Sequence, residues 1–243
     1  MTKTALLAAT AAIALTAGGA SAADLHPHMM AKGINVAAHQ SRHVGPGSVF
    51  YTQNSGATST AVVSDNFTSG FFSSGDSALA DDFVYPGSAS GGVTEVDVTG
   101  AYFNGSGPAT SVTVSLYKSK KASKKIDYAR PGKLMYTITE SCSNGPSFSC
   151  TLPLSKGKAA WKLKSGKTYW ISVVANVAFF NSTGSQIEDG EWGWATRTPV
   201  VGADATWENP NGGWGVGCTT WEPADDCGLG LPEAQDLMFS LSG

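Results

Sequence analysis

Thr168-Tyr169-Trp170-Ile171-Ser172-Val173-Val174-Ala175-Asn176-Val177-Ala178-Phe179-Phe180 is the longest β-prone run in the chain, and its reading decides the fold. β-branched and aromatic residues dominate it, and it contains neither glycine nor proline. Such side chains fit a pleated, packed surface, so the run is predicted to lie at the centre of a sheet. The turn formers Lys164-Ser165-Gly166-Lys167 lead into it. No stretch of ten or more residues elsewhere has helical periodicity, so little helix is expected.

Outward from this run, short segments alternate between Gly, Ser, Asn and Pro punctuation, the pattern of a sandwich or barrel. Ser111–Tyr117 alternates without error, placing Val112, Val114 and Leu116 inward. Val93–Phe103 sets Val93, Val96 and Val98 against Glu95 and Asp97, with a slip that suggests a bulge. Gly105-Ser106-Gly107-Pro108 between these two predicts an antiparallel pair. Ala78–Tyr85 is stopped by Pro86-Gly87; Lys133–Glu140, Phe148–Leu152, Ala159–Leu163 and Gln235–Leu241 complete the stronger candidates, with Val49–Gln53 and Thr60–Ser64 weaker. Leu237, Phe239 and Leu241 should share one face. The 29 glycines and scarce charge suit many strands joined by tight turns. No repeat of about 20–50 residues appears, which argues against propellers and solenoids. The expected architecture is a single all-β, jelly-roll-like antiparallel β-sandwich over residues 48–243.

The amino end reads as an export leader. Lys3 precedes the short apolar run Ala5–Ala17, and Ala20-Ser21-Ala22 supplies the small residues of a cleavage site. Thirteen apolar-biased residues fall short of the roughly 20 needed to span a bilayer, and no later stretch approaches that length. Residues 1–22 are therefore expected to be a signal peptide, with cleavage near Ala22 and a secreted or periplasmic product. Residues 23–47 hold all four histidines and no clear strand pattern, so a flexible segment is expected. His26, His28, Met29 and Met30 carry copper-type donors, though such spacing in a tail is commonly incidental.

Four cysteines, Cys142, Cys150, Cys218 and Cys227, allow three disulfide connectivities. The simplest joins Cys142 to Cys150 and Cys218 to Cys227. Zinc is the rival, but neither spacing is CxxC and no histidine is near.

Gly190–Cys227 concentrates five of the seven tryptophans. Trp207, Trp214 and Trp221 are evenly spaced on a Gly/Asn-rich segment beside Glu208, Asn209 and Asn211. Indole faces stack on the C–H face of a sugar while polar neighbours take its hydroxyls, so these six residues are the candidate ligand site. The alternative is that several of the rings fill the interior. Trp161, Trp170, Trp192 and Trp194 read as core.

The net charge of −3 hides a separation. Lys118–Lys167 carries twelve Lys/Arg against Asp127 and Glu140, whereas Thr168–Gly243 carries ten acids against Arg197. The stretch 118–133 is expected to be an exposed loop, either solvated or facing anionic polysaccharide or lipid headgroups. Nucleic acid is not an expected partner, since no binding fingerprint accompanies the lysines. Asp81 and Asp82 on an early strand and Asp236 on the last are candidate ligands for a structural calcium, the alternative being hydrogen bonding to turn backbone. No other cofactor is indicated. With every histidine near the amino end, no Ser-His-Asp or Cys-His set is available. A two-carboxylate glycosidase using Glu191 and Glu208 is the remaining catalytic option.

Ala80-Asp81-Asp82-Phe83, the Gly166–Val173 run GKTYWISV and the closing QDLMFSLSG together resemble secreted bacterial β-sandwich domains of the carbohydrate-binding-module and galactose-binding-like type. The resemblance spans residues 48–243 and rests on structural motifs, so it implies fold more than activity. Three functions follow as expectations. The first is a non-catalytic binder of extracellular glycan, the second a cell-surface or matrix structural protein, and the third a glycoside hydrolase of lectin-like fold.

Overall fold

The computed structural model describes residues 29–37, 48–55, 57–70, 72–88, 92–142, 145–152, 161–179, 190–231 and 233–243. The proposed leader, its cleavage site and all four histidines lie outside these residues. In chain order the strands are β1 Met30–Ala37, β2 Val49–Thr52, β3 Ala57–Val63, β4 Asp65–Phe67, β5 Ala78–Tyr85, β6 Gly92–Val93, β7 Glu95–Val98, β8 Gly100–Phe103 and β9 Ser111–Lys120. They continue as β10 Arg130–Glu140, β11 Phe148–Thr151, β12 Trp161–Lys162, β13 Lys167–Val177, β14 Glu191–Arg197, β15 Thr206–Glu208, β16 Glu222–Pro223, β17 Asp236–Leu237 and β18 Phe239–Ser242. Two short 3-10 turns, Ser73–Gly75 and Ala224–Cys227, are the only helical elements among the described residues. The fold is all-β, and no helix among the described residues is long and apolar enough to cross a membrane.

The run that opens the sequence reading sits where its composition demands. β13 pairs with β9 on one side and β5 on the other, inside a sheet ordered β10-β9-β13-β5-β15-β16. β4 adds a short parallel pair to its end. Facing it are the sheet β11-β7-β18-β2 and the sheet β1-β3-β14-β17, with β8 also on β14. One core joins these layers, mixing Val112, Val114, Leu116, Ile171 and Val173 with Val96, Val98, Phe239 and Leu241. Tyr51 bridges it, its ring 5.7 Å from Phe83 and 5.5 Å from Phe239. The faces predicted for Ser111–Tyr117 and for Leu237, Phe239 and Leu241 supply the apolar core, while Met238, Ser240 and Ser242 between and after the latter are buried as well.

Several expectations are corrected. Met30–Ala37 is a strand paired antiparallel with β3, although it falls in the segment read as strandless. Its pattern is interrupted by a register shift between Lys32 and Val36, which blurs the alternation. β7 and β8 do not pair with β9; the turn at 105–108 carries the chain from one layer to the other, and β8 pairs with β14. Glu95 and Asp97 alternate away from the core valines as expected, yet both are buried, and Ser149 donates a hydrogen bond to Asp97. The last strand breaks at Met238, so β17 lies on β14 while β18 lies on β7 and β2.

Both disulfides join the nearer partners, Cys142 to Cys150 and Cys218 to Cys227, with Cα–Cα separations of 4.7 and 5.6 Å. The first ties the end of β10 to β11 across the two layers. The second closes the tryptophan-rich segment.

Candidate functional site

Of the six residues expected to form one ligand surface, most are committed to holding the segment in place. Trp207 lies on β15 with none of its surface exposed, and its indole N–H donates to Val63 O at 3.1 Å. It cannot be a platform, because β15 faces the core where it pairs with β5. Asn209 is equally buried: its amide donates to Ser74 O (2.7 Å) and Asp76 O (2.8 Å) and accepts from Trp214 N. Asn211 is exposed but donates to Ser73 O. Trp214 is half-buried, sends its N–H to Gly75 O at 2.6 Å, and meets Phe72 edge-on at 5.3 Å. Gly213 permits this close seating, since a Cβ there would come within 2.4 Å of the Ser74 backbone. Glu208 is half-buried on β15, and burial raises its carboxyl to about 7.

Trp221 is different. It is half-buried against Tyr117, ring centroids 5.9 Å apart at 71°, and its carbonyl accepts from Tyr128 Oη at 3.4 Å. The N–H groups of Trp170, Trp192, Trp194, Trp207 and Trp214 each donate to a protein oxygen. Those of Trp161 and Trp221 meet no acceptor among the described residues, and Trp161 stacks on Tyr136 with ring centroids 5.5 Å apart. A buried indole normally finds a partner, so an unspent donor marks a ring whose polar edge meets solvent.

Beside Trp221 stands the β9–β10 hairpin. The stretch 118–133 is not wholly loop: β9 runs on to Lys120 and β10 begins at Arg130, leaving residues 121–129 as the tip. Alternation explains the extension, since Ser119 continues the outer face and accepts from the Trp170 indole at 3.2 Å. The tip is turned by Ser123, whose N–H and carbonyl both bond Ile126. A register shift between Pro131 and Leu134 bulges the start of β10. Gly132 is needed there, because a Cβ would come 2.8 Å from Lys118 O. Bulges re-aim side chains at strand ends.

Lys118, Ser119, Lys120, Arg130–Lys133, Thr220 and Trp221 together line a groove of about 520 Å³. Lys118, Lys120 and Lys133 are exposed, whereas Arg130 lies 5.5 Å over the Tyr128 ring. No acceptor among the described residues meets Arg130 Nη1. Acids stand near Tyr128. Partial burial, then Glu222, raise the Tyr128 phenol, and Arg130 partly opposes them. Burial also raises Asp204, with Asp225 and Asp226 adding to it. The groove is thus lined by residues of the basic hairpin together with Thr220 and Trp221.

Sequence reasoning found Trp221 and the lysines separately and missed that they meet. Tyr128 and Arg130, two residues apart inside the lysine-rich stretch, were the available signal: an aromatic and a stacking cation among solvated charges.

The three aspartates expected to hold calcium do come from neighbouring strands, but not as one ligand set. Asp81 faces the core, accepting from Gln53 Nε2 and Leu237 N at 2.6 Å each and from Asp82 N at 2.7 Å. Asp82, the next residue along the strand, points the other way and accepts from Ala203 N at 2.7 Å. Asp236 accepts from Val201 N at 2.6 Å and lies 3.8 Å from Arg197 Nη1. Among the described residues no group of three or more His, Cys, Asp or Glu is arranged to hold a metal ion. Burial raises all three carboxyls: Asp81 well above its usual range, with the facing Asp236 adding to it, Asp236 to about 7 and Asp82 to about 6.

The glycosidase pair is not assembled either. Glu191 is fully buried on β14, where Asn104 donates to it at 2.7 Å, while Glu208 belongs to the other sheet. Glu191 instead crowds Asp65, whose carboxyl is raised well above its usual range first by burial and then by Glu191. No family model matches the chain, and neither a curated protein nor a solved structure does.

Proposed function

We propose that the protein is an exported, non-catalytic binder of extracellular glycan, and that the sugar packs at Trp221 on the wall of the hairpin groove. The observation that carries this is the Trp221 ring itself, half-buried at the rim of the groove with its N–H unspent among the described residues. Ring stacking on sugar C–H groups needs such a fixed, partly wet aromatic face, and the adjoining Lys and Arg N–H groups are donors for hydroxyl oxygens. Two disulfides fit an oxidising compartment, in agreement with the leader-like amino end.

Affinity electrophoresis through a panel of polysaccharides tests this. At least one polymer should retard the protein, and Trp221→Ala should remove the retardation while Trp214→Phe keeps it. If no polymer retards the chain, or if Trp221→Ala is retarded as before, the reading fails.

A further inference from the structure

We propose that the protein has a second binding surface, separate from Trp221: a lysine-rich face built by β9, β12 and β13 that holds a linear anionic polysaccharide bearing carboxylate or sulfate groups. It goes beyond the Trp221 reading and does not depend on it.

Strand register assembles this face. Alternation turns Lys118 and Lys120 away from Tyr117 and Trp221, onto the side that holds Leu116 and Tyr169, and Tyr169 is the direct partner of Lys118. Carried on by two residues, the same register sets Lys167, the first residue of β13, opposite Lys120, about 5 Å away across the strands. The turn leading into β13 adds two more cations. Lys164 N donates to Tyr169 Oη at 2.9 Å, which seats the turn carrying Lys162 and Lys164 against the ring that Lys118 faces. Trp161 adjoins them, its ring stacked on Tyr136 at an 8° tilt, and Tyr136 pairs with Leu116, two residues before Lys118.

Like charges set opposite one another on neighbouring strands are destabilising. Nothing internal relieves them here. All five lysines are exposed, and none of their ammonium groups has a hydrogen-bond or ion-pair partner among the described residues. Glu140, at the opposite end of β10, is the only acid on β9, β10, β12 and β13. Clustered charge of one sign focuses potential on an anion that approaches it.

The spacing suits a polymer. Charges repeat at about 7 Å along β9 and about 5 Å across to β13. They sit on backbone that pairing already fixes, so little backbone freedom is lost on binding. Sugar is favoured because every group offered is a donor: the ammonium groups suit carboxylate or sulfate, and the Trp161 N–H suits a hydroxyl. A bilayer fits less well. Val84 and Leu134, the exposed apolar side chains at this end, pair with Thr168 and Tyr117 and so lie on the opposite face of the sheet. Trp161 and Tyr136 also cover one another, which withholds a free stacking platform from nucleic-acid bases.

The test is calorimetric titration of the purified, disulfide-intact chain with polygalacturonate and dextran sulfate, and with neutral dextran and laminarin. Polyphosphate, duplex DNA and phosphatidylglycerol vesicles serve as polyanions without an anionic polysaccharide's chemistry. Lys118→Gln/Lys120→Gln/Lys167→Gln should weaken polygalacturonate binding at least about tenfold. Raising the ionic strength to about 0.5 M should do the same. Lys121→Gln/Lys124→Gln/Lys125→Gln at the hairpin tip removes the same net charge and should leave binding within about threefold. Trp161→Phe keeps a stacking ring, deletes the N–H and should weaken binding about threefold. Circular dichroism checks that each variant is folded.

A tip variant as weak as the face variant overturns the proposal, since net charge alone then accounts for binding. Equal affinity for polyphosphate, DNA or vesicles overturns the polysaccharide assignment. Loss of the polygalacturonate titration in Trp221→Ala assigns it to Trp221 and overturns the separate site. Self-association at low salt that the face variant abolishes, with no polyanion bound, gives the lysines to a second copy of the chain instead. A neutral polymer bound through Trp221 with no anionic one bound overturns this inference and leaves the glycan reading standing.

Discussion

Trp214 and Trp221 lie seven residues apart in one glycine-rich segment, and both are half-buried, yet they belong to different parts of the molecule's chemistry. Trp214 is clamped. Its N–H is spent on Gly75 O, its ring meets Phe72, and Asn209 fastens the backbone around it to residues 74–76. Trp221 is propped. Its ring leans on Tyr117, its carbonyl takes the Tyr128 hydroxyl, and its N–H has no acceptor among the described residues. Partial exposure alone therefore does not tell a clamped ring from a propped one. The fate of the indole N–H separates these two, because a ring clamped inside satisfies it there and a ring at the surface leaves it for water.

The comparison can be broken or sharpened in order of expected effect. Trp207→Ala, on the clamped side, removes a fully buried ring and the Val63 hydrogen bond, and should cost about 3–5 kcal/mol in denaturant unfolding. A loss under about 1 kcal/mol would show that this half of the segment is not structural after all. Opening the Cys218–Cys227 bridge by Cys218→Ser/Cys227→Ser should cost about 2–3 kcal/mol and also weaken any ligand binding, since Trp221 lies within the closed loop. Retained affinity at full strength would mean that the Tyr117 and Tyr128 contacts suffice to place the ring.

Next comes pH. Asp236 is raised to about 7 in the folded protein, by burial first and against the help of Val201 N–H and Arg197. A carboxyl raised by folding favours the native state while protonated. Its contribution is present below the unfolded value and is lost as pH rises toward 7. Asp82, raised to about 6, acts in the same direction. Unfolding stability should therefore fall between about pH 4 and 7, and Asp236→Asn should flatten the profile by about 1–2 kcal/mol. An unchanged profile in that variant would remove Asp236 from the account. The smallest effect on stability should come from Trp221→Ala, within about 1 kcal/mol of the parent, although it should remove the proposed ligand binding. Were this variant as unstable as Trp207→Ala, the contrast between the two halves would collapse.

Much of the fold was legible because its signals are local. Val112, Val114 and Leu116 announced their face through a period of two, and the run at Thr168 announced its central place through unbroken β-prone composition. The disulfides followed from the shortest pairing. β1 was hidden because its register shift spoils the alternation. Glu95 and Asp97 were placed opposite Val96 and Val98, and that is where they lie, but their burial was not legible, because alternation reports which side a residue faces and not what covers that side.

Of the candidate site, the sequence by itself determined that large aromatics and turn residues crowd one segment, that basic residues crowd another, and that strands fill the space between. Only the tertiary structure decided that Trp207 is inside, that residues 72–76 come over Trp214, and that the basic hairpin meets Trp221. The physical reason is distance along the chain. Strand faces and turns follow from neighbours one to four residues away, whereas the wetness of an indole depends on backbone from Ser73 to Gly75 or on Tyr117 and Tyr128, all brought close only when the sheets have formed.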